Sequence, residues 1–174
     1  GYSGTLTAWN PSTLEVTAVE TGGVEPAGDA EGRTVTIHGT IVETDAPGEV
    51  QHALTVVNSY IPNSGEGLRR LDYRVHEWDP AFARFISSKA GQPPLEAGTR
   101  SAIHTTVVTG DFNVAFREVD HFDADNPRSK LLPGRSPEDK ASAQRHLFPP
   151  AEAPLTTWTD AFRQVHGDAE GVFS

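Results

Sequence analysis

Apolar and polar residues alternate over residues 34–42, TVTIHGTIV: Val35, Ile37 and Ile41 fall on one side, Thr34, Thr36, His38 and Thr40 on the other. That period of two predicts a half-buried strand. Residues 53–60, ALTVVNSY, are richer in apolar and β-branched positions and predict a more deeply buried one. The intervening TDAPGE carries Pro-Gly turn chemistry. Pro62 cannot donate to a ladder, so the chain must leave the sheet there. Beyond it the period changes: Leu68, Leu71, Val75, Trp78, Phe82 and Phe85 recur every three or four residues and predict a helix over about 67–90. A Gly/Pro-rich linker at 91–102 leads to a third buried strand, HTTVVTG at 104–110. Residues 120–135 have no period and read as a long polar loop of the functional kind. Ser136-Pro137-Glu138-Asp139 supplies an N-cap, a first-turn proline and two acids, opening a helix to about 147. Trp158, Phe162 and Val165 mark a short helix over 157–166. There is no internal repeat, and only 22–32, rich in Gly, Glu and Ala, approaches low complexity. Strands interleaved with helices predict α/β layers. Three strands are too few to complete such a sheet.

A length of 174 residues and a mass of 18.7 kDa suit one domain. With 36% hydrophobic residues and a mean hydropathy of -0.42 the chain is polar but within the globular range. No apolar run approaches the ~20 residues that span a bilayer, and no signal peptide opens the chain. The absence of cysteine excludes a disulfide scaffold, a thiolate metal site and a cysteine nucleophile. There is no methionine, and residue 1 falls inside a patterned Gly-Tyr-Ser-Gly segment, so an internal piece of a longer protein is expected. The net charge of -10 argues against coating nucleic acid by bulk charge. Its distribution is uneven. Residues 1–65 hold eight acids and one base, whereas 117–145 hold six of each, and Arg69, Arg70 and Arg74 cluster beside the most patterned stretch. A focused phosphate site stays compatible with that balance.

Three groups of residues can carry chemistry. The strand at 104–110 runs into Gly110-Asp111-Phe112-Asn113, which places Asp111 and Asn113 on the same side of the strand's end. A carboxylate there can take a proton from water or hold a cation, and a carboxamide can donate to an oxyanion. The alternative is an Asx turn, and the tetrapeptide alone favours neither. Tyr60 closes the preceding strand at the same edge and Asn63 lies in the turn beyond. Both can reach a phosphate, although a rim aromatic and a turn former explain them more simply. Arg70, Asp72 and Arg74 fit an amphipathic helix with internal ion pairs of a few tenths of a kcal/mol each.

In combination these segments are more specific. Tyr-Ile-Pro-Asn-Ser-Gly-x-Gly-Leu-x-Arg-Leu-x-Tyr-Arg, then Trp78-Asp79, then Gly-Asp-Phe-Asn-Val-Ala-x-x-Glu-Val-Asp, closely resembles the exonuclease III class of apurinic/apyrimidinic (AP) endonucleases, within the endonuclease/exonuclease/phosphatase superfamily. Gly1 to Thr5, Glu31-Gly32-Arg33, Asn126-Pro127-Arg128, Ser136-Pro137-Glu138 and Asp160-Ala161-Phe162-Arg163 resemble further family segments in the same order. The resemblance covers nearly the whole chain. It implies an α/β fold, a four-layer αββα sandwich incomplete at both ends, and a Mg²⁺-dependent (Mn²⁺ being an alternative) phosphodiesterase acting on double-stranded DNA with abasic sites. In that class Asp111 would be the general base, Asn113 would position it and stabilise the oxyanion, and Tyr60 would bind the scissile phosphate. Tyr2, Arg33, Asn63 and Asn126 would contact the DNA backbone, and Asp111 with Asn113 would lie at the metal. Neither a membrane nor an obligate protein partner is implied, and the compartment would be intracellular, wherever DNA is. The family's metal-binding Glu and its terminal Ser-Asp-His have no counterpart in the chain. Leu131-Leu132-Pro133 stands where the family has polar residues, Arg135 where an aromatic is common, and Glu66 where Arg often stands. Two other readings compete: a superfamily phosphodiesterase or phosphatase with another substrate, and a degenerate domain that binds DNA or a partner without cutting.

Overall fold

A computed structural model describes residues 3–24, 31–42, 51–91, 102–121, 126–150, 152 and 155–169. The chain divides into two units, Gly1–Ile61 with Phe85–Phe112 and Pro62–Arg84 with Asn113–Ser174.

The first unit holds a four-stranded sheet. Its strands are β1 (Leu14–Thr21), β2 (Thr34–Ile41), β3 (Gln51–Tyr60) and β4 (Ala102–Asp111), ordered β1-β2-β3-β4. The first two pairings are antiparallel and β3–β4 is parallel. Three strands appear where alternation or apolar density places them, each within two or three residues. The fourth, β1, escapes the pattern for a physical reason. A register shift between Val16 and Ala18 lets Val19, not Ala18, continue the apolar side, which breaks the period of two. Val19, Ile37, Val56 and Val107 then form one row across all four strands. On the opposite face Thr36 and Val57 are buried side by side. The end of the long helix lies on that side: the Thr106 hydroxyl donates to the Lys89 carbonyl at 3.2 Å, and Lys89 pairs with Glu20 at 2.6 Å. The described residues contain one sheet; the second sheet of the implied sandwich is not among them.

The helix expected over 67–90 is segmented. Glu66–Leu68 forms a 3₁₀ turn with left-handed backbone at Gly67 and Leu68. Helical structure then runs through α1 (Leu71–Tyr73), a π-helical stretch Arg74–Trp78 and α2 (Asp79–Lys89). The wide π turn rotates the face of α2 against that of α1. The apolar stripe is therefore offset. Leu68, Leu71 and Val75 are half-exposed, whereas Trp78, Ala81, Phe82, Phe85 and Ile86 are buried, each large side chain contributing about 1.5–3 kcal/mol.

In the second unit Trp78 stacks on Phe82 with centroids 6.5 Å apart, and α3 (Pro137–Leu147) buries Ala143 and Leu147. Ser136 caps α3, accepting from the Asp139 N–H, as its sequence predicts. α4 (Ala161–His166) is shorter than expected and begins after its Asp160 cap; its intended apolar face is exposed at Phe162 and Val165. The loop at 120–135 contains a 3₁₀ turn, Pro127–Leu131. Among the described residues no helix is long and apolar enough to cross a membrane.

Candidate active site

The parallel strands β3 and β4 end together, with Tyr60 opposite Asp111 in the register. The Ile61 N–H donates to the Asp111 carbonyl at 2.9 Å and closes the ladder. Gly110 makes this ending possible. Its φ is 126°, and a Cβ there would lie 2.0 Å from the Ser59 carbonyl oxygen, so only glycine fits the approach that turns Asp111 out. The Asp111 side chain is exposed and Tyr60 is half-buried. Arg33 supports Tyr60 from the neighbouring strand entry. It is 2% exposed, donates to the Tyr60 carbonyl at 3.0 Å and to Glu31 at 2.6 Å, and its guanidinium carbon lies 5.1 Å from the Tyr60 ring centroid.

The second unit organises the two asparagines. Asn63 donates through Nδ2 to the Asn113 Oδ1 at 2.9 Å, and its own Oδ1 accepts from the Gly65 N–H at 2.8 Å. Asn113 has φ 47°, the left-handed region that Asn tolerates better than most residues. Gly134 closes over it: a Cβ at Gly134, itself at φ 76°, would lie 2.4 Å from the Asn113 carbonyl oxygen. Ala115 N–H donates to the Gly134 carbonyl at 3.0 Å. The Gly134 side is pinned by buried Asp139, which accepts from the Gly134 N–H at 3.0 Å, from the Ser136 hydroxyl at 2.8 Å and from Ser64.

No family model matches the chain. It is similar to an exodeoxyribonuclease of Streptococcus pneumoniae, 32% identical over 97% of this chain and 49% of that protein. An exodeoxyribonuclease of Bacillus subtilis is 31% identical over 100% of this chain and 55% of that protein. Among solved structures, an AP endonuclease of Leishmania major superposes with a TM-score of 0.60 at 31% identity, over 86% of this chain and 41% of that one. Over nearly its whole length the chain is similar to exodeoxyribonucleases and AP endonucleases. It spans about half the length of the curated relatives it matches.

Within this chain the resemblance-based residues have distinct settings. Tyr60 and Asp111 share the strand end, and Asn63 and Asn113 are hydrogen-bonded to each other. Arg33 is a buried brace rather than a solvent-facing cation. The exposed Asn126 uses Oδ1 to accept from the Arg128 N–H at 3.0 Å, an Asx turn that starts the 3₁₀ turn. Tyr2 lies outside the described residues.

Sequence reasoning, which fits Arg74 to an amphipathic helix with internal ion pairs, misses its setting. Arg74 is buried, 2% exposed, and its Nη1 donates to both the Pro62 and Asn113 carbonyls at 3.0 Å. Its Nε donates to Asp79 at 2.9 Å. The spacing of Arg74 and Asp79, five residues across a π turn, was the available signal.

The described residues do not assemble a metal centre by themselves. No group of three or more His, Asp or Glu among them could hold an ion, and the two carboxylate oxygens of Asp111 fall short of the about six ligands that a hard divalent cation takes.

Proposed function

We propose that this chain supplies catalytic residues of an enzyme that cleaves the phosphodiester backbone of double-stranded DNA at abasic sites, with 3′→5′ exonuclease or 3′-phosphodiesterase action by the same chemistry; the 174 residues alone are expected to be inactive. The observation that carries this reading is Asp111, an exposed carboxylate presented beside Tyr60 at the shared end of two parallel strands by a glycine that no other residue can replace. Support comes from the relatives named exodeoxyribonuclease and from a Dictyostelium discoideum relative named DNA-(apurinic or apyrimidinic site) endonuclease, 32% identical over 60% of this chain.

In this reading Asp111 takes the proton from the attacking water. The Tyr60 phenol donates to a phosphate oxygen, where it acts most strongly as charge builds on the pentacoordinate phosphorus. Hydrogen-bond direction defines the part of Asn113. Because Asn63 Oδ1 accepts from Gly65, its Nδ2 is the donor to Asn113 Oδ1, so the Asn113 NH₂ is the end that stabilises an oxyanion. Asn63, Asn126 and Tyr2 serve the DNA backbone, and Arg33 acts through Tyr60. Dependence on Mg²⁺ or Mn²⁺ is part of this proposal and rests on the family alone.

Asp111→Asn removes the base at nearly constant shape. Cleavage of a duplex with one abasic site should fall by more than ~10-fold, a barrier rise above ~1.4 kcal/mol, while affinity measured by fluorescence anisotropy changes little. A variant that keeps more than about a tenth of the wild-type kcat would remove Asp111 from the role of base.

A further inference from the structure

Arg74 donates to the backbone carbonyls of two turns in addition to its ion pair with Asp79. A buried ion pair is weak evidence for stability, because desolvating both ions offsets their attraction. What the pair does supply is geometry. Nη1 of one guanidinium holds the carbonyl of Pro62, which fixes the peptide leading into Asn63, and the carbonyl of Asn113 itself, both at 3.0 Å. The two asparagines that bond each other side chain to side chain at 2.9 Å are thus referenced to one nitrogen. The guanidinium is oriented in turn. Asp79 accepts from Nε through Oδ1, and its Oδ2 accepts from the Ser142 hydroxyl of α3 at 2.6 Å. Arg74, Asp79 and Ser142 are 2%, 7% and 5% exposed, so the relay is shielded from competing water. An ammonium cannot reproduce the planar fork that serves a carboxylate and two carbonyls together. The left-handed turn at Asn113 benefits from such support, since that region is strained for a residue other than glycine, even for Asn.

We propose that Arg74 is a positioning residue for Asn113, held by Asp79 and Ser142, and that it sets the direction of the Asn113 NH₂ through the backbone carbonyl. This inference rests on the reading of Asn113 as the oxyanion donor. It predicts that Arg74 acts on turnover only through Asn113.

The test uses the full-length protein with Arg74→Lys, Ser142→Ala, Asn113→Ala and the Arg74→Lys/Asn113→Ala double variant, with abasic duplex cleavage, thermal unfolding and ¹H–¹⁵N spectra on each. Arg74→Lys should lower kcat ~10–100-fold, the range for losing a group that orients another, with KM much less affected. On the Asn113→Ala background the same change should lower kcat by no more than about twofold, because coupled groups are not additive. Ser142→Ala removes one donor to Asp79 but no charge; it should lower kcat in the same direction with a smaller fall in Tm than Arg74→Lys, which keeps the test alive should Arg74→Lys unfold. The Asn113 and Asn63 side-chain amide resonances should shift in both variants while β2 amides stay in place. Unshifted asparagine resonances in a folded Arg74→Lys, or an equal kcat loss with and without Asn113, would overturn the proposal. Wild-type turnover by Asn113→Ala would instead overturn the reading of Asn113 as a catalytic group, and the resonances would then decide the positioning role alone.

Discussion

Gly110→Ala is the sharpest perturbation of the strand end, because two separate costs meet at one atom. The added Cβ would sit 2.0 Å from the Ser59 carbonyl oxygen and 2.8 Å from its carbonyl carbon, and both are backbone atoms that no rotamer change can move aside. The backbone φ of 126° is in addition a conformation that an L side chain rarely adopts. Strain of that kind costs about 1–3 kcal/mol, and forcing extra volume into a packed place about another 1–3. Together they give about 2–6 kcal/mol, a large share of the ~5–15 kcal/mol by which a domain is stable. Part of the cost can be relieved only by parting β3 from β4 between Ser59 and Gly110, which moves Asp111 away from Tyr60. Urea unfolding followed by far-UV circular dichroism should show a lower midpoint at an unchanged slope. Cleavage should fall even at temperatures where the variant is folded. A destabilisation below about 1 kcal/mol would show that the strand end tolerates a Cβ and that Gly110 is not what presents Asp111.

Tyr60→Phe should lower kcat far more than it raises KM, since a donor aimed at the phosphate acts mainly where charge develops; losing one such donor costs ~10²–10³ in kcat in other enzymes, and equal turnover would return Tyr60 to a rim aromatic. Stability should fall as pH drops below neutrality. His104, His121 and His146 all have pKa values lowered first by burial, and among the described residues His121 has no hydrogen-bond partner on either ring nitrogen. Each is held neutral in the fold and protonates more readily when unfolded, so its contribution is complete above about pH 6.5 and is lost as pH falls through the lowered folded value. A Tm unchanged between pH 7.5 and pH 5 would refute this.

The legible parts of this chain are those whose determinant is local. β2, β3 and β4 arise from alternation and apolar density, and α3 from a cap, a proline and two acids in consecutive positions. Asp111 and Tyr60 were legible because a strand delivers its last side chain to a known edge, whatever lies beyond. The parts that escaped are set by a change of period or by a partner far along the chain. The bulge in β1 moves the apolar side from Ala18 to Val19, and the π stretch at Arg74–Trp78 offsets one half of an apolar stripe from the other. Neither leaves a mark in residue type.

Arg74 shows why such shifts conceal function in particular. On a regular solvated helix an arginine four residues from another is an ordinary surface charge, and sequence spacing alone favours that reading. The π turn places it among buried neighbours, where an ionised side chain persists only if each of its donors meets an acceptor. Those acceptors are Asp79, five residues ahead, the Pro62 carbonyl, twelve behind, and the Asn113 carbonyl, thirty-nine ahead. The reach of the last two comes from topology and not from pattern. The chain leaves the sheet at Pro62 and, after β4, at Asn113, and the backbone carbonyls at both exits need a donor that the ladder no longer supplies. A residue that serves two such exits is visible only once the strands that create them are in place.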